Sequence, residues 1–263
     1  MYAAFAASAF QTRLAYRGQV WAAVFGELVQ VFAKVAIWMS IYAGVGGVAG
    51  GVTLPEMITY SILGGMVITA WPWAILVRQV GEQIKTGDVA VFLLKPLRYP
   101  LMLLAAETGN VAFRLLTVVL PVTFVGALVY GLAPPASLFH GAMYVVFLLL
   151  GFSILFALAM IAGLLAFWLL TAFSLEWLLQ AVLGLLSGVL VPLWFFPPAA
   201  AAIIVNLPLA YVAYHPMAVY LGKYDGAETL ATFGIGLGWI VVLAGIAAWL
   251  WSRAARRLVV QGG

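Results

Sequence analysis

Six apolar runs, each near the length needed to cross a bilayer, constrain this chain more than any other feature. A helix crossing the ~30 Å hydrocarbon core needs about 20 mostly apolar residues. The runs cover residues 20–43, 57–77, 103–129, 139–170, 177–196 and 229–251. Hydrocarbon offers no partner to a bare N–H or C=O, so such runs must close their own hydrogen bonds as helices. Composition agrees: 66% of the 263 residues are hydrophobic and 8% charged, where a soluble domain carries about a quarter charged. An ordinary water-soluble domain is thereby excluded. The predicted fold class is an all-α membrane protein with six transmembrane helices, residues 1–263 forming a single transmembrane domain. Cysteine is absent, which removes disulfides, thiol catalysis and Cys-ligated metal sites.

The net charge of +4 reflects topology and predicts no nucleic-acid partner. Arg13 and Arg17 precede the first run; Arg78, Lys85, Lys95 and Arg98 lie between the second and third; Arg253, Arg256 and Arg257 follow the last. Six crossings put these nine of the twelve basic residues on one side, with Lys34 and Arg114 inside spans and Lys223 opposite. By the positive-inside rule that side is the cytoplasm, and both termini lie there. The first sixteen residues mix Phe5, Phe10 and Leu14 with Gln11, Thr12 and Arg13, as suits a short interfacial helix. Their arginines follow the first apolar residues, the reverse of a cleaved signal peptide.

Two connections are long enough to carry more than a turn. Between Arg78 and Pro100, Val80, Ile84, Val91 and Leu94 alternate with charge at roughly helical spacing, broken by Gly87 and stopped at Pro96. This predicts short amphipathic helices at the cytoplasmic surface, or a solvated loop with a charged face. The external stretch from Val191 to Asp225 contains Pro192, Pro197, Pro198, Pro208 and Pro216 yet stays apolar. Prolines this dense forbid one continuous helix. Short helices dipping into the outer leaflet, or a loop packed on the bundle, satisfy both demands.

Catalytic constellations are scarce. His140 and His215 stand outside any metal-ligand spacing and read as interfacial or packing residues. No phosphate-binding loop is present, so the chain does not hydrolyse ATP by itself. Charges inside spans are costly and draw attention individually. Glu27 and Lys34 lie two turns apart on one helix face, about 10 Å along the axis. Glu107 and Arg114 repeat that spacing in the third run. Cross-pairing of Glu27 with Arg114, or of Lys34 with Glu107, is expected if those helices pack antiparallel or meet across a dimer interface, as bundle glue or as contacts to a substrate. Trp71, Pro72 and Trp73 predict a kink, with aromatics that either pack or line a pocket for a flat or cationic molecule. Gly184/Gly188 and Gly234/Gly238 have the spacing of close helix contacts, one that abundant glycine also produces by chance.

In order, the chain carries Tyr16-Arg17, then Ile84-x-x-Gly87-x-x-Ala90-x-x-Leu93-Leu94-Lys95-Pro96, then Leu186-Ser187-Gly188. Pro192-Leu193, Phe196-Pro197, Leu207-Pro208, Tyr211, Pro216, Tyr220-Leu221-Gly222, Trp239 and Arg256-Arg257 follow, and the chain closes on Gln261-Gly262-Gly263. This ordered set resembles the ABC-2 type permeases, specifically members of roughly 260 residues that pair with a second permease and a separate ATPase. The resemblance implies that the segment between spans two and three is a coupling helix docking on the ATPase, with Gln79, Glu82, Gln83, Lys85, Thr86, Asp88 and Lys95 in contact and Gly87 as its break. It implies an external re-entrant hairpin between spans five and six bent at Pro192, Pro197 and Pro208, with Phe196 and Tyr211 in it. Glu27, Lys34, Trp71, Trp73, Glu107 and Arg114, read from their places inside the runs, border the path or glue the bundle.

The implied function is a permease subunit, not an enzyme, that exports a hydrophobic or amphipathic molecule by alternating access. Its expected partners are two copies of a cytoplasmic ABC ATPase, a second permease (a different one, or a copy of this chain), and the lipid bilayer. ATP and Mg belong to the ATPase, and no cofactor or metal is expected on this chain. The expected location is a plasma membrane, the inner membrane of a bacterium. An ATP-independent carrier is the alternative, and an integral-membrane enzyme is disfavoured by the lack of clustered His, Asp or Ser.

Overall fold

The computed structural model describes residues 2–14, 17–89, 98–169 and 173–261. Tyr16 and the Leu93-Leu94-Lys95-Pro96 stretch lie outside them. Five helical segments are long and apolar enough to cross a membrane: Gly18–Gly44, Leu54–Thr86, Tyr99–Tyr130, Leu138–Leu169 and Gly226–Ala255. This is an all-α integral membrane protein. The expected fifth of six runs, 177–196, is not one helix: helix forms over Phe173–Leu186 and then stops. Those 14 residues reach about 21 Å, short of a ~30 Å core. Buried Ser187 and Gly188, at φ +84°, turn the chain there instead of at Phe196.

Helix α1 (Tyr2–Leu14) lies against α6 (Tyr99–Arg114). The approach is close because position 109 is glycine: a Cβ there would sit 2.1 Å from the Ala6 carbonyl oxygen. Helix α2 (Arg17–Val45) leads into a two-residue hairpin, β1 (Val48–Ala49) against β2 (Val52–Thr53). Gly50 and Gly51 both take positive φ, +59° and +72°, which a tight two-residue reversal requires.

The second span is three helices end to end: α3 (Leu54–Leu63), α4 (Met66–Ala70) and α5 (Trp73–Thr86). Glu56 starts it, its carboxylate accepting from the Thr53 N–H at 2.7 Å in capping-box fashion, and Lys223 pairs with the same carboxylate at 2.9 Å. Gly64-Gly65 makes the first break, and Trp71-Pro72 the second, since proline brings no N–H to continue the ladder.

In the third span α6 runs into a π-helical turn at Leu115–Val119 before α7 (Leu120–Tyr130). The Leu120 N–H reaches back to the Leu115 carbonyl. Pro121 supplies the cause: its missing N–H and its ring disrupt the ordinary register, and the turn widens to absorb it.

Helix α8 (Leu138–Leu169) is the hub, packed on α5, on α12 (Gly226–Gln261) and on the proline-rich segment. Two glycines permit this. A Cβ at Gly163 would lie 2.8 Å from Val80 Cβ of α5, and one at Gly151 2.4 Å from the Tyr211 carbonyl oxygen. After α9 (Phe173–Leu186) the chain forms a 3-10 turn at Leu193–Phe195, α10 (Pro198–Ile204), a second 3-10 turn at Pro208–Val212, and α11 (Tyr214–Tyr220). Tyr211, Val212, Ala213, Met217 and Val219 in that segment are buried, so it packs into the bundle.

Candidate functional site

Helix α5 has two faces of opposite character. Trp73, Leu76, Val77, Val80, Gly81 and Ile84 are buried, while Ile75, Arg78, Gln79, Glu82, Lys85 and Thr86 are exposed. The second set recurs at three- and four-residue spacing and so occupies one stripe. An open groove of about 550 Å³ runs along it, bounded by Ile75, Arg78, Gln79, Glu82, Lys85 and Phe173. Arg78 Nε pairs with Glu176 Oε2 of α9 at 3.3 Å, which holds the start of α9 beside the groove. The helix closes at Gly87, whose φ of +79° is the left-handed terminus that glycine adopts without strain. Asp88 then accepts from the Thr86 hydroxyl at 2.8 Å.

Of the residues expected on a coupling surface, Gln79, Glu82, Lys85, Thr86 and Asp88 are therefore exposed. Gln83 points inward instead: its side-chain oxygen accepts from the Tyr99 hydroxyl at 2.5 Å, joining α5 to α6. Gly87 terminates the helix, and Lys95 lies outside the described residues. Of the amphipathic stretch, residues 90–97 lie outside the described residues, and the part over residues 78–86 is not a separate helix. It is the last turns of the second span, so its inner face is already part of the core.

Two polar chains cross the bundle above this face. Trp71 donates its indole N–H to Glu107 Oε2 at 2.6 Å, Asn110 Nδ2 donates to the same oxygen at 3.2 Å, and Arg13 Nε donates to Asn110 Oδ1 at 3.2 Å. Separately, Thr69 donates to Glu27 at 3.3 Å, and Arg114 Nε donates to the Thr69 carbonyl at 2.9 Å. Within the chain the direct ion pairs Glu27 with Arg114 and Lys34 with Glu107 do not form. Glu27 and Arg114 meet through Thr69, and Glu107 is hydrogen-bonded by Trp71 and Asn110 rather than paired with Lys34. A buried carboxylate with two short N–H donors is satisfied as bundle glue.

Trp71 and Trp73 expose 0% and 3% of their surface, and Trp71 packs edge-on to Phe152 at 5.1 Å. They are core residues, not the walls of an open pocket. Thr69, Asn110 and Arg13 were the partners missed in the sequence. Asn110 was legible as the residue three beyond Glu107; Arg13 depends on the Ala6–Gly109 contact, which no spacing reveals. The Gly234/Gly238 pair makes no close contact within the chain, a Cβ at either position meeting no atom within 4 Å, and the tight glycine of α12 is Gly236, 2.4 Å from Leu150; Gly188, by contrast, would place a Cβ 2.9 Å from Tyr214 and from the Tyr60 hydroxyl.

At the other end, Pro192 and Pro208 each open a 3-10 turn and Pro197 precedes α10. Phe196, half-buried, ends the first of those turns. Tyr211 stacks on Phe147 at 6.3 Å and donates to the Thr232 carbonyl at 2.9 Å, pinning the segment to α8 and α12. His215 Nε2 lies 2.8 Å from the Val205 carbonyl and Nδ1 3.0 Å from the Tyr224 hydroxyl. The carbonyl demands a donor, so Nε2 carries the proton and Nδ1 accepts from Tyr224. Burial pushes the His215 pKa down to about 4 and the Tyr224 hydroxyl well up. Among the described residues no group of three or more His, Asp or Glu could hold a metal ion.

A sequence model of one family, described as ABC-2 family transporter protein, matches residues 28–262. No curated protein and no solved structure gives a significant match.

Proposed function

Given that this chain belongs to the ABC-2 family of transporters, whose membrane components are transport subunits and not catalysts, we propose that it is the permease half of an ATP-driven exporter. One of two copies of a cytoplasmic ABC ATPase docks on the exposed stripe of α5, the other on the second permease, and that stripe is the observation that carries the reading. A mixed row of Arg78, Gln79, Glu82, Lys85 and Asp88 at the end of an apolar span belongs in water or against a protein of mixed charge.

A push on that stripe has a route inward. The opposite face of α5 is locked to α8 by the Val80–Gly163 contact, and Gln83 ties it to α6 through Tyr99. The breaks at Gly64-Gly65 and Trp71-Pro72 are where a rigid α5 can tilt against the outer half of the span. ATP and Mg act on the ATPase, and this chain supplies the two arrangements between which closure of the ATPase dimer selects.

The basic residues support six crossings with both termini in the cytoplasm, α9 supplying the fifth together with the bends after it, and the proposed location is a bacterial inner membrane. The segment from Pro192 to Tyr220 is then the re-entrant hairpin that caps the path outside. Gln30, exposed at the middle of α2, is costly against lipid and suits a face turned to a second, different permease. Few intramembrane charges favour a hydrophobic or amphipathic substrate.

The test is ATPase coupling in vesicles carrying the whole transporter. Glu82→Lys and Asp88→Lys are expected to cut transport per ATP hydrolysed by about tenfold or more while the bundle stays folded, as loss of a docked charge pair of 2–5 kcal/mol would do. Unchanged coupling in both variants rejects the assignment. Transport that persists without ATPase and follows an ion gradient identifies a carrier instead.

A further inference from the structure

A second cavity lies on a different flank, between the start of α6, the middle of α8 and the cytoplasm-ward half of α12. It encloses about 670 Å³, and none of its lining residues comes from α2, α5 or α9. It exists because four facing positions, Ala157, Ala244, Ala247 and Ala248, carry only a methyl group. Phe156, Met160 and Trp251 wall it, and among the described lining residues the charged one is Arg98, at the mouth. Ser153, at the far end, is occupied, its hydroxyl bonded to the Leu149 carbonyl at 2.8 Å.

Shape and charge together narrow the occupant. From Ile240 to Trp251 the groove follows α12 for roughly 16 Å at 1.5 Å per residue, about half of a ~30 Å hydrocarbon core and so the depth of one leaflet. A helix of ~10 Å diameter over that length would need roughly 1,250 Å³, twice the space present. A chain-shaped apolar group fits. At the mouth, Arg98 is exposed and its backbone N–H donates to the Tyr2 hydroxyl at 3.3 Å. No carboxylate is among the described lining. The site is apolar within and cationic at its opening.

We infer that this groove binds an anionic glycerophospholipid of the leaflet at the basic end, one acyl chain lying between α8 and α12 and the phosphate against Arg98. Such a lipid would bear on coupling, because Tyr99 is shared. Its ring stacks on Trp251 at 4.7 Å in the groove wall, and its hydroxyl donates to Gln83 of α5. Occupancy therefore braces the joint between α5, α6 and α12.

The experiment uses the purified, delipidated full chain in detergent and reads retention of phosphatidylglycerol and phosphatidylcholine of identical acyl chains by native mass spectrometry. Neither ATPase nor transport enters the readout, so failure here is separate from failure of the transporter reading. The wild type is expected to prefer phosphatidylglycerol by about fivefold, the factor one cation near an anionic headgroup supplies. Arg98→Gln is expected to abolish most of that preference and leave phosphatidylcholine retention alone. Ala248→Phe fills the groove from an exposed position and is expected to weaken both lipids about tenfold; Ala244→Leu substitutes for it should its melting temperature fall. Equal retention of the two lipids by the wild type, an unchanged preference in Arg98→Gln, or wild-type retention in a folded groove-filled variant would each overturn the inference.

Discussion

Glu107 illustrates how a charge is held inside an apolar bundle. Seven residues separate it from Arg114, and the sequence suggests a salt bridge to another helix; the structure answers with an indole and an amide. Trp71→Phe keeps an aromatic ring at the position but removes the N–H together with part of the buried indole's volume, leaving Glu107 one donor short. A loss of about 1–3 kcal/mol is expected, read as a lower melting temperature in detergent, and Glu107→Gln on the Trp71→Phe background should recover part of it. Equal stability of Trp71→Phe and wild type would show that the bond contributes nothing.

His215 carries a pH dependence whose sign is fixed by its burial. Tyr211, Tyr214, Tyr224 and the Val205 carbonyl surround it, and no charged side chain is in contact. Its folded pKa of about 4 lies below the ordinary 6.5, so the unfolded segment takes up the proton first. The stability from burying the neutral ring is complete above about pH 6.5 and is lost as the pH falls toward 4, to about 3 kcal/mol. Amide protection factors across residues 205–224 should drop over that window in the wild type and stay level in His215→Gln. Protection that is flat in both would contradict the assignment.

At the scale of elements, periodicity and breakers were legible while close approaches were not. Hydrophobic runs located α2, α8 and α12, and Gly87 marked the end of α5 as expected. The fifth run misled because continuous apolarity does not distinguish a helix from apolar residues folded back into a core, as Leu193 and Tyr211 are. The π turn after Arg114 was hidden as well, since Pro121 inside a long apolar run signals only a kink. Glycine spacing failed for a physical reason: a pair four apart permits contact but does not create it, and the partner backbone decides. Gly151→Ala thrusts a methyl against the Tyr211 carbonyl, with an expected cost of about 1–3 kcal/mol in melting assays, whereas Gly238→Ala, facing open space, should be neutral or slightly stabilising. Equal effects of the two would contradict the packing described.

At the scale of the molecule, fold class followed from composition alone, and the cytoplasmic stripe followed from polarity set against that apolar background. What joins them could not be read: α5 is both the end of a span and the carrier of the stripe proposed to dock the ATPase, because its inner residues bury against α8 while its outer ones stay exposed. The chain contains no cysteine, so a single one can be placed at will. The decisive measurement is photo-crosslinking in native membranes from Gln79→Cys, Glu82→Cys and Lys85→Cys labelled with a benzophenone, beside Leu128→Cys on the exposed flank of α7. ATPase adducts from the three α5 positions and none from Leu128→Cys are predicted. ATPase adducts absent from α5, with the protein intact and labelled, would contradict the docking surface and with it the coupling mechanism.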